Sequence, residues 1–215
     1  MDRTLRIVVL GTGGHARSCL DAVTDQDLDI VGCVGAQPTG ALPAPYLGGD
    51  EVLPTLREQG VGRAFVAIGD NARRAAVTAE LLAMGFELAS FVATTARVAP
   101  TARLGAGSAV MHHAYLGPHS TLGDGAILNT AATVDHDCVV GSMSHVAPGT
   151  HLAGTVVVGD GAFLGVGTSV IPEMEIGEWA IVGAGSVIVR PVRPHARVAG
   201  NPARDIGKGP RIADR

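Results

Sequence analysis

Between Val110 and Val140 the chain reads VMHHAYLGPHSTLGDGAILNTAATVDHDCVV, with aliphatic residues at Val110, Leu116, Leu122, Leu128, Val134 and Val140. The spacing of six extends back through Leu104 and Val98 to Val92. It extends forward through Val146, Leu152, Val158, Leu164, Val170, Ile176 and Val182 to Ile188. That is seventeen hits without a slip. Neither a helix (about 3.6 residues per turn) nor a plain strand (about 2) produces this period. A coil of flat sides does, if each side contributes one inward aliphatic residue. The residue two before each hit is usually small, as at Ala96, Ala102, Ser108, Ala114, Ser120, Ala126, Ala132, Cys138 and Ser144, and the residue after is often glycine. Small residues there let the backbone turn. Hexapeptide repeats of this kind mark a parallel β-helix. Three sides of six give a coil of 18 residues, so the segment winds a little over five coils. Neighbouring coils should lie about 4.8 Å apart.

Composition agrees with a narrow prism. Of 215 residues, 47% are hydrophobic but only 3% aromatic, and 30 are glycine. Such a core must be filled by Val, Leu, Ile and Ala. The net charge of −4 leaves no electrostatic footprint for nucleic acid. Cys19, Cys33 and Cys138 are scattered and odd in number, forming neither a disulfide framework nor metal spacing. No metal is expected. The apolar run Ile7–Leu10 is too short for a signal peptide, and no window approaches the length of a membrane span. The expected location is the cytoplasm.

Residues 1–90 obey another rule. Strands are expected at Ile7–Leu10, Ile30–Val34, Ala64–Ile68 and Phe86–Val92, with helices over His15–Val23 and Ala72–Met84, the second capped by Asn71. Strands alternating with helices imply a small parallel sheet, a Rossmann-like half. The expected organisation is an α/β nucleotide-sugar domain over 1–90, a left-handed parallel β-helix over 91–190, and a C-terminal cap or tail over 191–215. The turn Gly11-Thr12-Gly13-Gly14-His15-Ala16 fits the loose dinucleotide fingerprint after a strand and before a helix. An NAD site also wants an acid near the end of the second strand, but Val34-Gly35-Ala36-Gln37 has none, and the sheet is short for a dinucleotide fold. A better reading has Gly13, Gly14 and the adjacent helix N-terminus holding the diphosphate of a nucleotide sugar. His15 would then touch sugar or phosphate, and Gly69 would leave room beside it.

Several motifs together resemble the hexapeptide-repeat acyltransferase superfamily. They are Val182-Gly183-Ala184-Gly185-Ser186-Val187, Gly200-Asn201-Pro202-Ala203-Arg204, the Gly-Thr-Gly-Gly-His turn, Ile68-Gly69-Asp70-Asn71, Asn129-Thr130, and His136-Asp137-Cys138-Val139-Val140-Gly141 followed by Ser144-His145-Val146. Over the whole chain the likeness is to the bacterial sugar N- and O-acetyltransferases. That branch includes N-acetyltransferases of nucleotide-linked 4-amino-4,6-dideoxy sugars and relatives of the sialic acid O-acetyltransferases. The resemblance implies a homotrimer with active sites between neighbouring β-helices and acetyl-CoA as co-substrate. The expected acceptor is GDP-perosamine or a UDP-linked relative. UDP-binding relatives commonly carry an acidic pair where this chain has Gly35-Ala36, which leaves GDP and dTDP open. O-acetylation of a sialic-acid-like sugar and a non-catalytic nucleotide-sugar scaffold are the alternatives.

Acetyl transfer from a thioester needs a base, an oxyanion donor and a groove for the CoA arm. His136 lies two residues after inward Val134, at a position free to point outward, and Asp137 beside it can orient the imidazole and raise its basicity. The resemblance assigns these same roles, although its usual acid is one methylene longer. One coil beyond His136 lies Gly154, which leaves space beside the ring and offers its N–H to a thioester oxygen. The resemblance makes this glycine the oxyanion donor. It also places Val166 and Ala184, one coil apart, on main-chain contacts to acetyl-CoA, brings His145 to acetyl-CoA, and faces Asn129 to the acceptor sugar. His145 is half a coil after His136, so both serve one site only if two subunits supply them. Arg190, Arg193, Arg197, Arg204, Lys208 and Arg211 could meet the CoA phosphates or simply solvate the end of the prism.

Overall fold

The computed structural model describes residues 6–207. Five short strands, β1 (Ile7–Leu10), β2 (Ile30–Val34), β3 (Tyr46–Gly48), β4 (Arg63–Val66) and β5 (Glu87–Leu88), form one parallel sheet in the order β3-β2-β1-β4-β5. Helices α1 (Gly14–Asp21), α2 (Leu53–Glu58) and α3 (Asn71–Ala83) supply the crossovers. Alternation splits β1 between two cores. Val8 and Leu10 pack with Leu53, Leu81 and Phe86 beneath α2 and α3. Ile7 and Val9 pack with Ala16, Cys19 and Leu20 of α1 and also with Phe91, Ala109, Met111 and Ile127 of the following region. A sheet covered on both faces explains why Ile7–Leu10 is an unbroken apolar run.

Four expectations for this half need correction. Asp70, not Asn71, caps α3: its Oδ1 accepts the Arg73 N–H at 2.7 Å, while Asn71 is the first helical residue. The buried Asn71 amide instead donates to the Gly161 and Ala162 carbonyls at 3.0 and 3.1 Å, tying α3 to the prism. The stretch Phe86–Val92 is not one strand. Glu87–Leu88 closes the sheet, and Phe91–Val92 opens the prism. Strand β3 and helix α2 were not anticipated: β3 is three residues long, and α2 is six with Pro54 in its first turn.

From Phe91 onward two-residue strands pair in parallel with strands 18 positions away, as in Tyr115↔Thr133, Thr121↔Val139 and Ile127↔His145. They stack into three sheets, the faces of a left-handed β-helix. Its core runs from Val110 to Val198 and holds valine, leucine, isoleucine, alanine and Cys138 with no aromatic ring. The four phenylalanines lie elsewhere, and Phe65 of β4 stacks on Phe91 at 3.9 Å to join the two halves. Fourteen consecutive corners, from Gly107 to Gly185, place the third residue after the aliphatic hit at positive φ, and eight of these residues are not glycine. That is the i+2 position of a type II turn, whose i+1 position favours proline, and Pro118, Pro148 and Pro172 occupy it. Buried hydroxyls close the corners from within, as where Ser120 Oγ donates to Asp135 O and Ser144 Oγ to Gly141 O, both at 2.6 Å.

The last coil ends in a small hairpin of Arg197–Ala199 and Arg204–Asp205. No described helix is long and apolar enough to cross a membrane.

Candidate active site in two half-sites

His136 takes the corner position that proline holds one coil below, at Pro118, so its side chain stands on the prism edge, about half exposed. The next residue, Asp137, has φ 57°, and this left-handed turn swings its carboxylate back to the imidazole. Nδ1–H of His136 donates to Asp137 Oδ2 at 2.8 Å. The shorter acid therefore reaches the ring directly. Because a carboxylate only accepts, Nδ1 carries the proton and Nε2 presents its lone pair outward. The hydrogen bond to Asp137 raises the histidine above its ordinary range, with the charges of Asp135 and Asp137 adding to it.

Gly154 lies directly above. A Cβ at this position would sit 2.5 Å from His136 Nε2, so only glycine fits with the ring in place. Its N–H donates to no group among the described residues. His136, Asp137 and Gly154 thus form one cluster: a base with a free lone pair, its orienting carboxylate, and an adjacent unengaged amide.

The other expected residues gather elsewhere. A cleft of about 390 Å³ lies at the C-terminal ends of β1 and β4, lined by Gly11 to His15, Gly35, Ala36, Asp50, Ile68, Gly69, Asp70 and Arg73, with parts of the sheet behind. Gly13 and Gly69 face open space. Gly13 caps α1 without a side chain, leaving the first-turn amides of the helix toward the cleft. Asp50, Asp70 and Arg73 were not singled out from the sequence. Asp50 belongs to a short helical turn that no motif marked, and it supplies a carboxylate to the cleft wall shared with Gly35-Ala36.

At the cleft's prism side, His15 and His145 approach with ring centroids 6.1 Å apart. His145 is buried, its Nδ1–H donating to Gly69 O at 3.2 Å and its Nε2 accepting from Asn129 Nδ2 at 3.0 Å. The Phe163 ring meets it in a T-shaped contact, with centroids 5.3 Å apart. Burial, then the charge of Arg74, lowers His145 to about 3 and His15 to about 4. Both are neutral rings. His15, Gly69, Asn129 and His145 therefore form one contiguous group.

Asn129 begins the corner whose edge continues through Thr130, Pro148, Val166 and Ala184. Val166 and Ala184 are exposed, and their N–H groups donate to nothing among the described residues. This edge joins the His145 group but not the His136 cluster. The two edges are separated by a full prism face, six residues wide, roughly 15–20 Å at strand rise. At the prism's end Arg190, Arg193 and Arg204 line a smaller cleft of about 180 Å³, where Arg193 pairs with Asp205 at 3.1 Å. Lys208 and Arg211 lie outside the described residues. Among the described residues no cluster could hold a metal ion.

A left-handed β-helix with an exposed histidine–carboxylate pair and an α/β nucleotide-type cleft defines a hexapeptide-repeat acyltransferase. Residues 6–81 match the PglD N-terminal domain family. A histidine-to-asparagine mutant of perosamine N-acetyltransferase from Caulobacter crescentus, in complex with CoA and GDP-perosamine, is similar at 43% identity. The match covers 94% of this chain and 97% of that one, with a TM-score of 0.91. PerB from the same organism, solved with the same two ligands, matches over the same shares at 43% identity and TM-score 0.90. The acetyltransferase domain of PglB from Neisseria gonorrhoeae FA1090, in complex with acetyl coenzyme A, matches at 34% identity. Coverage is 94% of this chain and 99% of that domain, with a TM-score of 0.87. The chain belongs to this family of bacterial sugar N-acetyltransferases.

Proposed function

We propose that the protein transfers an acetyl group from acetyl-CoA to the 4-amino group of a nucleotide-linked 4-amino-4,6-dideoxyhexose, with GDP-perosamine as the acceptor. The observation that carries the reading is the His136 cluster: Nδ1 held by Asp137 at 2.8 Å, Nε2 free, and Gly154 immediately above. The C4 amine attacks the thioester carbonyl carbon in a ternary complex, with no acyl-enzyme. His136 Nε2 takes the amine proton, the Gly154 N–H stabilises the oxyanion, and collapse expels the CoA thiolate, which leaves as the thiol with that proton. The Gly13-Gly14 turn and the α1 N-terminus hold the diphosphate. His15, Gly69 and Asn129 face the sugar, while His145, Val166 and Ala184 meet the acetyl-CoA arm. GDP is supported by the ligand of the two 43%-identical structures and by the Asp50 carboxylate in the cleft.

The active unit is a homotrimer. The His136 cluster and the edge of Val166 and Ala184 are a full face apart in one chain, so a complete site takes one half from each of two subunits. Cyclic symmetry then closes three such sites. Residues 1–90 bind the nucleotide sugar, 91–190 carry the transfer, and the described part of the C-terminal segment, 191–207, caps the prism. The protein works in the cytoplasm.

The test is incubation with acetyl-CoA and a panel of GDP-, UDP- and dTDP-linked amino and hydroxy sugars, reading thiol release and product mass. N-acetylated GDP-perosamine is expected. Acetylation confined to hydroxyls would favour the sialic-acid-type alternative, and binding without turnover would favour a scaffold.

A further inference from the structure

Arg74 is 1% exposed and belongs to no motif. Its Nε donates to Gly125 O at 2.8 Å, and Nη2 donates to Met143 O at 2.8 Å, Ser144 O at 3.2 Å and Asn71 Oδ1 at 2.8 Å. Nη1 donates to Ile68 O at 2.9 Å and Gly69 O at 3.2 Å. Every acceptor is a carbonyl or an amide oxygen, and among the described residues no carboxylate touches the guanidinium. Burying a cation this way costs more than filling the space with an apolar side chain of similar volume, which would still let α3 pack on the prism. Something beyond packing should therefore depend on the charge and its fork of donors.

We propose that Arg74 is a positioning residue for acetyl transfer, fixing the tautomer and placement of His145, and through it Asn129, by sharing the Gly69 carbonyl with the His145 ring. That carbonyl receives Arg74 Nη1 and His145 Nδ1–H, both at 3.2 Å. His145 Nε2 is left bare and accepts from Asn129 Nδ2 at 3.0 Å, while Asn129 Oδ1 accepts the Thr130 N–H at 2.8 Å. The orientation of the Asn129 amide is thereby set at both ends. A proton on Nε2 would turn acceptor into donor and break the contact with Asn129. The Arg74 charge opposes that proton, on His145 and also on His15. The remaining groups facing this cluster are Cys19, whose Sγ lies 3.5 Å from His15 Nε2 and whose thiol burial pushes up to about 12, and Asp70, whose carboxylate charge acts on Arg74. Lysine could not reproduce the fork.

The proposal rests on the reading that Asn129 and His145 meet the substrates, so its test has an arm that needs no substrate. In ¹⁵N-histidine NMR of the wild-type protein, His145 should carry its proton on Nδ1 and show no titration between pH 8 and about 5. Arg74→Gln should move the His145 and His15 titrations up by about one pH unit. In the same variant kcat should fall at least about tenfold through misplacement of His145 and Asn129, while the acid limb of kcat/KM stays where His136 sets it. Arg74→Lys should keep the titrations low while losing kcat. A purely structural clamp would lower Tm and leave the histidine titrations and the kcat of the folded enzyme unchanged; that result overturns the proposal. So does a wild-type His145 protonated on Nε2 or titrating near neutrality, which decides the matter if Arg74→Gln does not fold. Wild-type protein that acetylates no sugar, with the expected histidine spectra, would instead refute the substrate reading.

Discussion

Gly154→Ala separates the role of this glycine from ordinary packing. Its φ is not in the left-handed region, so alanine is conformationally acceptable there, and the difficulty is space alone. The added Cβ would lie 2.5 Å from His136 Nε2 and 3.1 Å from Nδ1. Ordinary contact begins near 3.4 Å, so the ring must retreat by about 1 Å. The imidazole is half exposed and borders solvent, so it can swing away without unpacking the prism. In doing so it leaves the 2.8 Å hydrogen bond to Asp137 and the line to the acceptor amine. A misplacement of about 1 Å costs on the order of 10²-fold in rate. The expected outcome is kcat down about 10²-fold, a Tm within a few degrees of wild type, and unchanged acetyl-CoA binding by calorimetry. Thiol-release kinetics and a thermal melt measure these. A variant with wild-type kcat would refute the placement of the base beside Gly154. One that loses activity only because it unfolds would refute the claim that the ring can yield.

His136→Asn should lower kcat by about 10²–10⁴-fold at constant acetyl-CoA affinity, the usual contribution of a positioned base. Asp137→Asn should cost less and leave its mark on the pH profile. Since Asp137 raises the histidine and the base acts when deprotonated, removing the carboxylate moves the acid limb down toward an unassisted imidazole near about 6.5, with a weaker base above it. Asp50→Asn should weaken GDP-sugar binding by about tenfold relative to UDP-sugar, if its carboxylate reads the two-donor edge of guanine; an unchanged ratio in competition kinetics would remove Asp50 from base selection. Acid should destabilise the fold through His15 and His145. Both are lowered in the folded state, so the unfolded chain binds more protons as pH drops below about 6.5, and stability falls from there until the folded values of about 4 and 3 are reached. Urea midpoints that do not fall between pH 7 and 5 would contradict this.

The prism was legible because one inward aliphatic per side is a chemical requirement repeated in every coil, and Val92 to Ile188 meets it without exception. The corners were less so: residues such as His113, Ala131 and Trp179 sit at positive φ, where residue type gives little warning. The pairing of His136 with Asp137 was legible from their adjacency and the resemblance, and the place of Gly154 beside the ring from the coil length, since residues 18 apart must stack. Residues whose partners lie in the other half of the chain were not accessible in this way. Arg74 and Arg73 are adjacent and chemically identical in sequence, yet one is buried among carbonyls and the other lines the cleft. Asn71 looks like a helix cap next to Asp70, and only the prism's Gly161 and Ala162 carbonyls give its amide another task. Short elements with no period, such as Tyr46–Gly48, leave no pattern to read.

The central claim is that catalysis joins the His136 edge of one subunit to the Asn129, Val166 and Ala184 edge of another. Subunit complementation tests it most directly. His136→Ala removes one half-site, and Asn129→Ala combined with Ala184→Trp blocks the other, so each protein alone should be inactive toward acetyl-CoA and GDP-perosamine. Mixed at equal amounts through reversible dissociation, or co-expressed, they should form hybrid trimers that each hold one intact site of three, about a quarter of all interfaces in the mixture, and activity should recover to about that quarter of wild type. Hybrid trimers that form, as native mass spectrometry would show, and yet remain inactive would contradict the two-subunit site.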